Sequence, residues 1–286
     1  MTDKMTLMRK ITALLIMLAA TTPASAQLIA AKTNAVAMGH HHLLVEDVSK
    51  NVAFWKSLGG ESVAFGDYDV IRFPNVLIFL REQKPTDGSA GAVVNHIGLQ
   101  FKELRPVVKK VAAAGTPVIS TEVVGATMKV DDDGLAWNEG AGAFLAFVRA
   151  PNGTRVELYE NESATRPVAN HHIHFYSTEV DAMKAWYVDK LGAAPGQRSG
   201  MEAADVGGVN LTFSPADAKT AATKGRAIDH IGFEVDGLEA LCKKLEASGV
   251  EFDRPYEKIE SLGVAVAFFT DPWGTYIELT EGLDGL

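Results

Sequence analysis

The sequence predicts an α+β fold of four strand–helix–three-strand (βαβββ) units. They form two tandem modules of curved, cup-like sheet with helices packed outside. Three observations predict it. Segments recur in the same order along the 286 residues, apolar spacing switches between strand and helix periods, and each helical pattern ends at glycine. NHIGLQF (95–101) returns as DHIGFEV (229–235), and APNGTRVELYE (150–160) returns as DPWGTYIELTE (271–281). HHLLVEDVSKNVAFW (41–55) returns as HIHFYSTEVDAMKAWY (172–187).

The elements follow in order. GHHHLLV reads as a first strand and DVSKNVAFWKSLGG as its helix, with YDVIRFPNVLIFL as the β-rich run behind it. NHIGLQF opens the second unit. KELRPVVKKVAAAG follows as a helix, with Pro106 near its start, where the missing N–H does no harm. ENESATRPVAN, polar with a proline, reads as the linker. HHIHFY and EVDAMKAWYVDKLGA open the third unit, and DHIGFEV and GLEALCKKLEASG open the fourth. The expected division is a first module at 37–160, a linker at 161–168 and a second module at 169–284.

Side chains alternate across a strand. His172, His174 and Tyr176 therefore share one face of HHIHFY, while Ile173 and Phe175 take the other. His230, Gly232 and Glu234 oppose Ile231, Phe233 and Val235, and Glu278 and Thr280 oppose Ile277 and Leu279. The first module repeats this with His40 and His42, then His96, then Glu157 and Tyr159. Two histidines and a carboxylate converging on a concave face suit a divalent metal, with positions left open for water or substrate. Trp55, Trp186 and Tyr187 occupy apolar helix positions and read as core. DDDGLAWNEGAG (131–142) reads as a solvated loop, since its spacing does not fit a calcium-binding loop.

Composition narrows the function. The formal charge is −9, and no Lys/Arg cluster offers a nucleic-acid surface. Lys4, Arg9 and Lys10 precede ITALLIMLAA and then Ala24-Ser25-Ala26, the pattern of a secretory leader over 1–26. The apolar run is short for a membrane span, so a periplasmic or secreted protein with no membrane attachment after cleavage is expected. Removal of three bases and one acid would leave a net charge of about −11. The single cysteine, Cys242, permits no internal disulfide and sits among leucines as a buried thiol.

The chain resembles the vicinal oxygen chelate superfamily, which includes glyoxalase I, extradiol dioxygenases, fosfomycin-resistance transferases and bleomycin-resistance binding proteins. The marks are His40-x4-Val45-x-Asp47, the NHIGL and DHIGF strands, and the A/D-P-x-G-x3-E-L endings at Glu157 and Glu278. The resemblance implies two cups with ligands from first and last strands. His40, His96 and Glu157 would serve the first module, and His172, His230 and Glu278 the second. It implies one or two divalent ions (Fe2+, Mn2+, Zn2+, Ni2+ or Co2+) and a small oxygenated substrate chelated through vicinal oxygens; a homodimer is left open.

Departures limit the reaction. The place of a fourth ligand falls near Ile78 or Phe79 in one module and on Asn210 or Thr212 in the other, which argues against a glyoxalase I type of site. Phe147 and Phe268 stand where extradiol dioxygenases carry a tyrosine. His174 and Tyr176 are the candidate proton donors, and His42, Tyr159, Asn210 and Thr212 the candidate pocket residues. The fuller His/Tyr face favours the second module for catalysis. The expectation is an exported metalloenzyme of dioxygenase or lyase/isomerase type; the alternative is a metal-free small-molecule binding protein of the bleomycin-resistance kind.

Overall fold

The computed structural model describes residues 28–29 and 36–286. The leader expected at 1–26 lies outside the described residues. The first unit runs β1 (Val36–Val45), α1 (Val48–Ser57), β2 (Glu61–Phe65), β3 (Tyr68–Phe73) and β4 (Val76–Glu82). The second runs β5 (Val94–Phe101), α2 (Leu104–Ala113), a short α3 (Ser120–Val124), β6 (Ala136–Asn138), β7 (Ala143–Arg149) and β8 (Arg155–Glu160). The third has β9 (Val168–Ser177), α4 (Val180–Leu191), β10 (Ala194–Arg198), β11 (Met201–Val206) and β12 (Val209–Pro215). The fourth has β13 (Ile228–Val235), α5 (Leu238–Ala247), β14 (Phe252–Ile259), β15 (Val264–Thr270) and β16 (Tyr276–Glu281).

Local chemistry sets the helices. Asp47 caps α1 by accepting the Lys50 N–H at 2.9 Å, and Gly192 ends α4 in the left-handed region at φ 68°. Leu104, Val108 and Val111 of α2 are buried, as are Leu238, Cys242 and Leu245 of α5, at the spacing of one helix face. Burial pushes the Cys242 thiol up to about 11, so it stays an inert core group. These faces join Ile97, Ile173, Ile231 and Ile277 in one continuous core. His41, on the core side of β1, is buried and kept neutral, its pKa lowered to about 3 first by burial. In the acidic stretch after α3, Asp131 accepts the N–H groups of Asp133 and Leu135, and Arg105 pairs with both aspartates at 2.8 and 2.6 Å. That stretch is a turn tied to α2.

The strands form two eight-stranded sheets. One has the order β14-β15-β16-β13-β1-β4-β3-β2, the other β10-β11-β12-β9-β5-β8-β7-β6. The first sheet curls until its edges meet: Phe65 at the end of β2 and Leu262 beyond β14 join one apolar cluster inside the cup. Each sheet therefore joins units from both sequence modules. The first and fourth units make one cup, and the second and third make the other. The assignment of one ligand set to each sequence module is thereby corrected. Only residues 161–167 separate β8 from β9, which keeps the second and third units adjacent; β5 then pairs antiparallel with β9, and β1 with β13. Loops stitch the cups together: Asn152 Nδ2 donates to the carbonyls of Leu44 and Ala227 at 3.0 Å, and Tyr187 Oη donates to Asp271 at 2.9 Å.

Candidate metal centres

In the first cup His40, on β1, lies opposite Gly232 on β13, and Gly232 is also the neighbour of Glu278 on β16. His40 and Glu278 are thus two strands apart, with a glycine between them. A Cβ on Gly232 would fall inside the His40 ring. Its absence lets the imidazole lie across the middle strand and reach Glu278 Oε2 at 2.9 Å. His230 Nε2 reaches the same oxygen at 2.9 Å. The second cup repeats this arrangement. His172 lies over Gly98, whose Cβ would strike the ring, and His172 Nε2 and His96 Nε2 are each 3.1 Å from Glu157 Oε2. The glycine of the HIG motif is therefore a site residue, and its missing side chain is what the site uses.

Both clusters have the donor set and spacing of a cation site. His40, His42, His230 and Glu278 offer ligand atoms within 4.8 Å of one another, and so do His96, Glu157, His172 and His174. Hydrogen-bond chemistry points the same way. His230 Nδ1 is 2.7 Å from Asp229 Oδ2. A neutral imidazole that gives its Nδ1 proton to Asp229 aims the Nε2 lone pair at a carboxylate oxygen, acceptor against acceptor. A proton on Nε2 or a metal ion between them resolves the conflict. His96 repeats the pattern with Asn95 Oδ1 at 3.1 Å. Buried polar atoms left without a partner, His40 Nδ1 and His42 Nε2, lie in the same cluster. The residues fit a divalent metal.

The two electrostatic environments differ. Burial works against the charged form of Glu278, but His40 and His230 outweigh it and hold the carboxyl below its usual range. His230 is raised despite burial, because Asp229 and Glu278 face it. His42 is lowered to about 3, by burial first and then by His230 and His40. In the second cup burial, followed by the Arg198 guanidinium, lowers His171 to about 4 and pushes His172 well down. Arg198 Nη2 lies 3.9 Å from Glu157 Oε1, and its Nη1 donates to Thr212 at 3.1 Å. The second cup thus holds a positive charge of its own.

The sequence-derived residues divide between the cups. His40, His230 and Glu278 meet in the first, and His42 lines its cavity of about 480 Å³. His96, His172 and Glu157 meet in the second. His174 Nδ1 sits 3.1 Å from His96 Nε2, and its Nε2 is 2.8 Å from Ser214 Oγ, which makes it part of the cluster. Tyr176 is half-buried with its ring 5.0 Å from His174. Tyr159 stacks on His171 at 4.4 Å, and Thr212 donates to Asn210 Oδ1 at 2.7 Å; these four residues lie around the second cluster. Of the two residues near the fourth-ligand place, Phe79 lines the first cavity while Ile78 points into the core. Phe268 and Phe147 set their rings edge-on to His230 and His96, at 5.5 and 5.1 Å. The sequence reading favoured the second module for catalysis; the structure opens the 480 Å³ cavity onto ligands from the first and fourth units instead.

Several site residues escaped the sequence reading. Asp229 and Asn95 each precede a ligand histidine in the repeated (D/N)HIG motif, a signal visible in the sequence. Tyr276, two residues before Glu278 and so on its face, lines the cavity; burial pushes its phenol up to about 12, so it keeps its proton. Arg198 carried no local signal, because it arrives from a different hairpin.

Comparisons with known proteins agree with this geometry. Residues 170–279 match the Glyoxalase/Bleomycin resistance protein/Dioxygenase superfamily. Glyoxalase I from Zea mays superposes with a TM-score of 0.67 at 13% identity, covering 88% of this chain and 94% of that one. A protein from Bacillus subtilis assigned by inference as a dioxygenase gives 0.60 at 15% identity, covering 88% and 86%. At such identities the likeness is one of fold. No curated protein matches the sequence. The superfamily match spans the third and fourth units, which here belong to different sheets. Among the described residues, no helix is long and apolar enough to cross a membrane.

Proposed function

We propose that this protein is an exported, divalent-metal-dependent enzyme whose working site is the first cup. The observation that carries the reading is the convergence of His40, His230 and Glu278 at the foot of a 480 Å³ cavity, with Asp229 fixing the outer nitrogen of His230. A metal held there would act as a Lewis acid on two vicinal oxygens of a small substrate. The chain's own groups have separate tasks. Asp229 sets the tautomer and direction of His230. Gly232 leaves the space through which His40 reaches. Phe79 and Phe268 keep the metal side apolar, which strengthens electrostatic interactions there. His42, neutral and with Nε2 unpartnered, lines the cavity beside the ligand atoms, and Tyr276 retains a proton to donate. The basic, apolar and Ala-x-Ala pattern at 1–26 supports action outside the cytoplasm.

The test is metal content per chain by mass spectrometry, after reconstitution with Fe(II), Mn(II), Ni(II) or Zn(II), for wild type, Glu278→Gln and Glu157→Gln. Wild type should hold at least one ion per chain, and Glu278→Gln should lose the tightly held one. Metal at background in wild type under every condition would overturn the enzyme reading and leave a metal-free small-molecule binder.

A further inference from the structure

The mouth of the first cavity carries charge of one sign. Arg81 at the end of β4, Lys224 in the loop before β13, and Arg254 on β14 all line it, and all are exposed. Arg254 is paired with Glu257 at 2.6 Å. Among the described residues, no carboxylate forms an ion pair with Arg81 or Lys224; the Lys224 ammonium instead sits 4.1 Å above the Tyr276 ring. The carboxylates in the lining, Asp229 and Glu278, are both committed to histidines. A chain of formal charge −9 thus turns two unpaired cations towards one cavity. Between the mouth and the histidines the wall is apolar and aromatic: Phe65 meets Phe79 edge-on at 5.7 Å, and Phe268 stacks on Tyr276 at 5.5 Å. A cavity of about 150 Å³ suffices for a benzene ring, so 480 Å³ accommodates a ring and a side chain.

Resting on the reading of a metal site at the foot of this cavity, we propose a substrate class: a flat, apolar-bodied carboxylate. Its negative charge would sit between Arg81 and Lys224, and its oxygen pair would face His40, His230 and Glu278. The two ends of the cavity have complementary demands. The inner end takes a chelating oxygen pair, the walls take a ring face, and the outer end takes an anion.

The test uses three catechols with the same ring and different tails: 3-(3,4-dihydroxyphenyl)propanoate, its primary amide, and dopamine. Binding is measured by calorimetry on protein loaded with Zn(II), which is redox-inert. The carboxylate should bind about tenfold tighter than the amide, with dopamine weakest, as expected for two partly exposed cations. The preference should shrink to less than threefold in the Arg81→Gln/Lys224→Gln double variant, and should also shrink at high salt. Equal binding of carboxylate and amide, or tighter binding of dopamine, overturns the substrate class. Metal content, measured on the same samples, separates this result from failure of the metal site. Should no metal bind, 3-phenylpropanoate against 3-phenylpropanol on the metal-free protein tests the same charge preference, and equal affinities overturn it there too.

Discussion

The two cups carry the same inner residues in different surroundings. Each has two histidines on one carboxylate oxygen, a third histidine beside them, and a glycine under one ring. Behind the second-strand histidine, however, one cup has Asp229 and the other Asn95. One opens into a cavity, while the other contains Arg198. The second unit also inserts α3 between Ile119 and Ala136, and its Val123 and Val124, with Met128 and Val130, pack on Leu145 and Phe147, on the face that carries Glu157. In the fourth unit the chain passes directly from α5 into β14. Duplication copies a ligand set; what the ligands can do depends on the next layer, which here has diverged.

The largest test of this contrast exchanges the residues behind the histidines. Asp229→Asn should weaken metal binding in the first cup by about 10–100-fold. Asn95→Asp should tighten it in the second, and competition with a chromophoric chelator would read both. The change is isolated by combining Asp229→Asn with Glu157→Gln, and Asn95→Asp with Glu278→Gln. A silent Asp229→Asn would show that the carboxylate is not what distinguishes the cups. The next test removes the internal cation. Arg198→Gln, in the Glu278→Gln background, should raise metal affinity of the second cup about fivefold, because a guanidinium beside Glu157 opposes a second positive charge. Unchanged affinity would assign Arg198 to hydrogen bonding alone.

The smallest test concerns Glu234 and its counterpart Gln100, two residues beyond Gly232 and Gly98. Burial pushes the Glu234 carboxyl up to about 7, although Thr280 and the N–H groups of Gly282 and Leu283 donate to it. Its folded pKa lies above the unfolded value, so the folded state holds the extra proton. That contribution to stability is full below the unfolded pKa and is lost as pH rises through about 7. Glu234→Gln should flatten the fall in stability between pH 5 and 7, by at most about 1.4 kcal/mol per pH unit, or roughly 2–4 °C in Tm. Parallel melting curves for the two proteins across that range would end the argument.

Much of the fold was legible because its signals are local. Periodicity separated strands from helices, glycines marked helix ends, and the repeat exposed four units. The ligand residues were legible through alternation: His40, His172, His230 and Glu278 share the faces read for them. The HIG glycines were visible but had no meaning until a neighbouring ring was seen to lie over them. Arg198 and the cations at the cavity mouth belong to strand ends and loops that the sequence did not connect to any ligand.

By itself the sequence determined the number of units, the face each histidine and glutamate occupies, and the chemistry those faces could support. Only the tertiary structure decided which units share a cup. The physical reason is that a strand's period fixes its faces but not its partner. All four first strands present the same apolar side to the core, so β1 could pair with β5 or β13 by pattern alone. The short connection at 161–167 joins β8 to β9 and so keeps β9 beside β5, and the first and fourth units are left to complete each other.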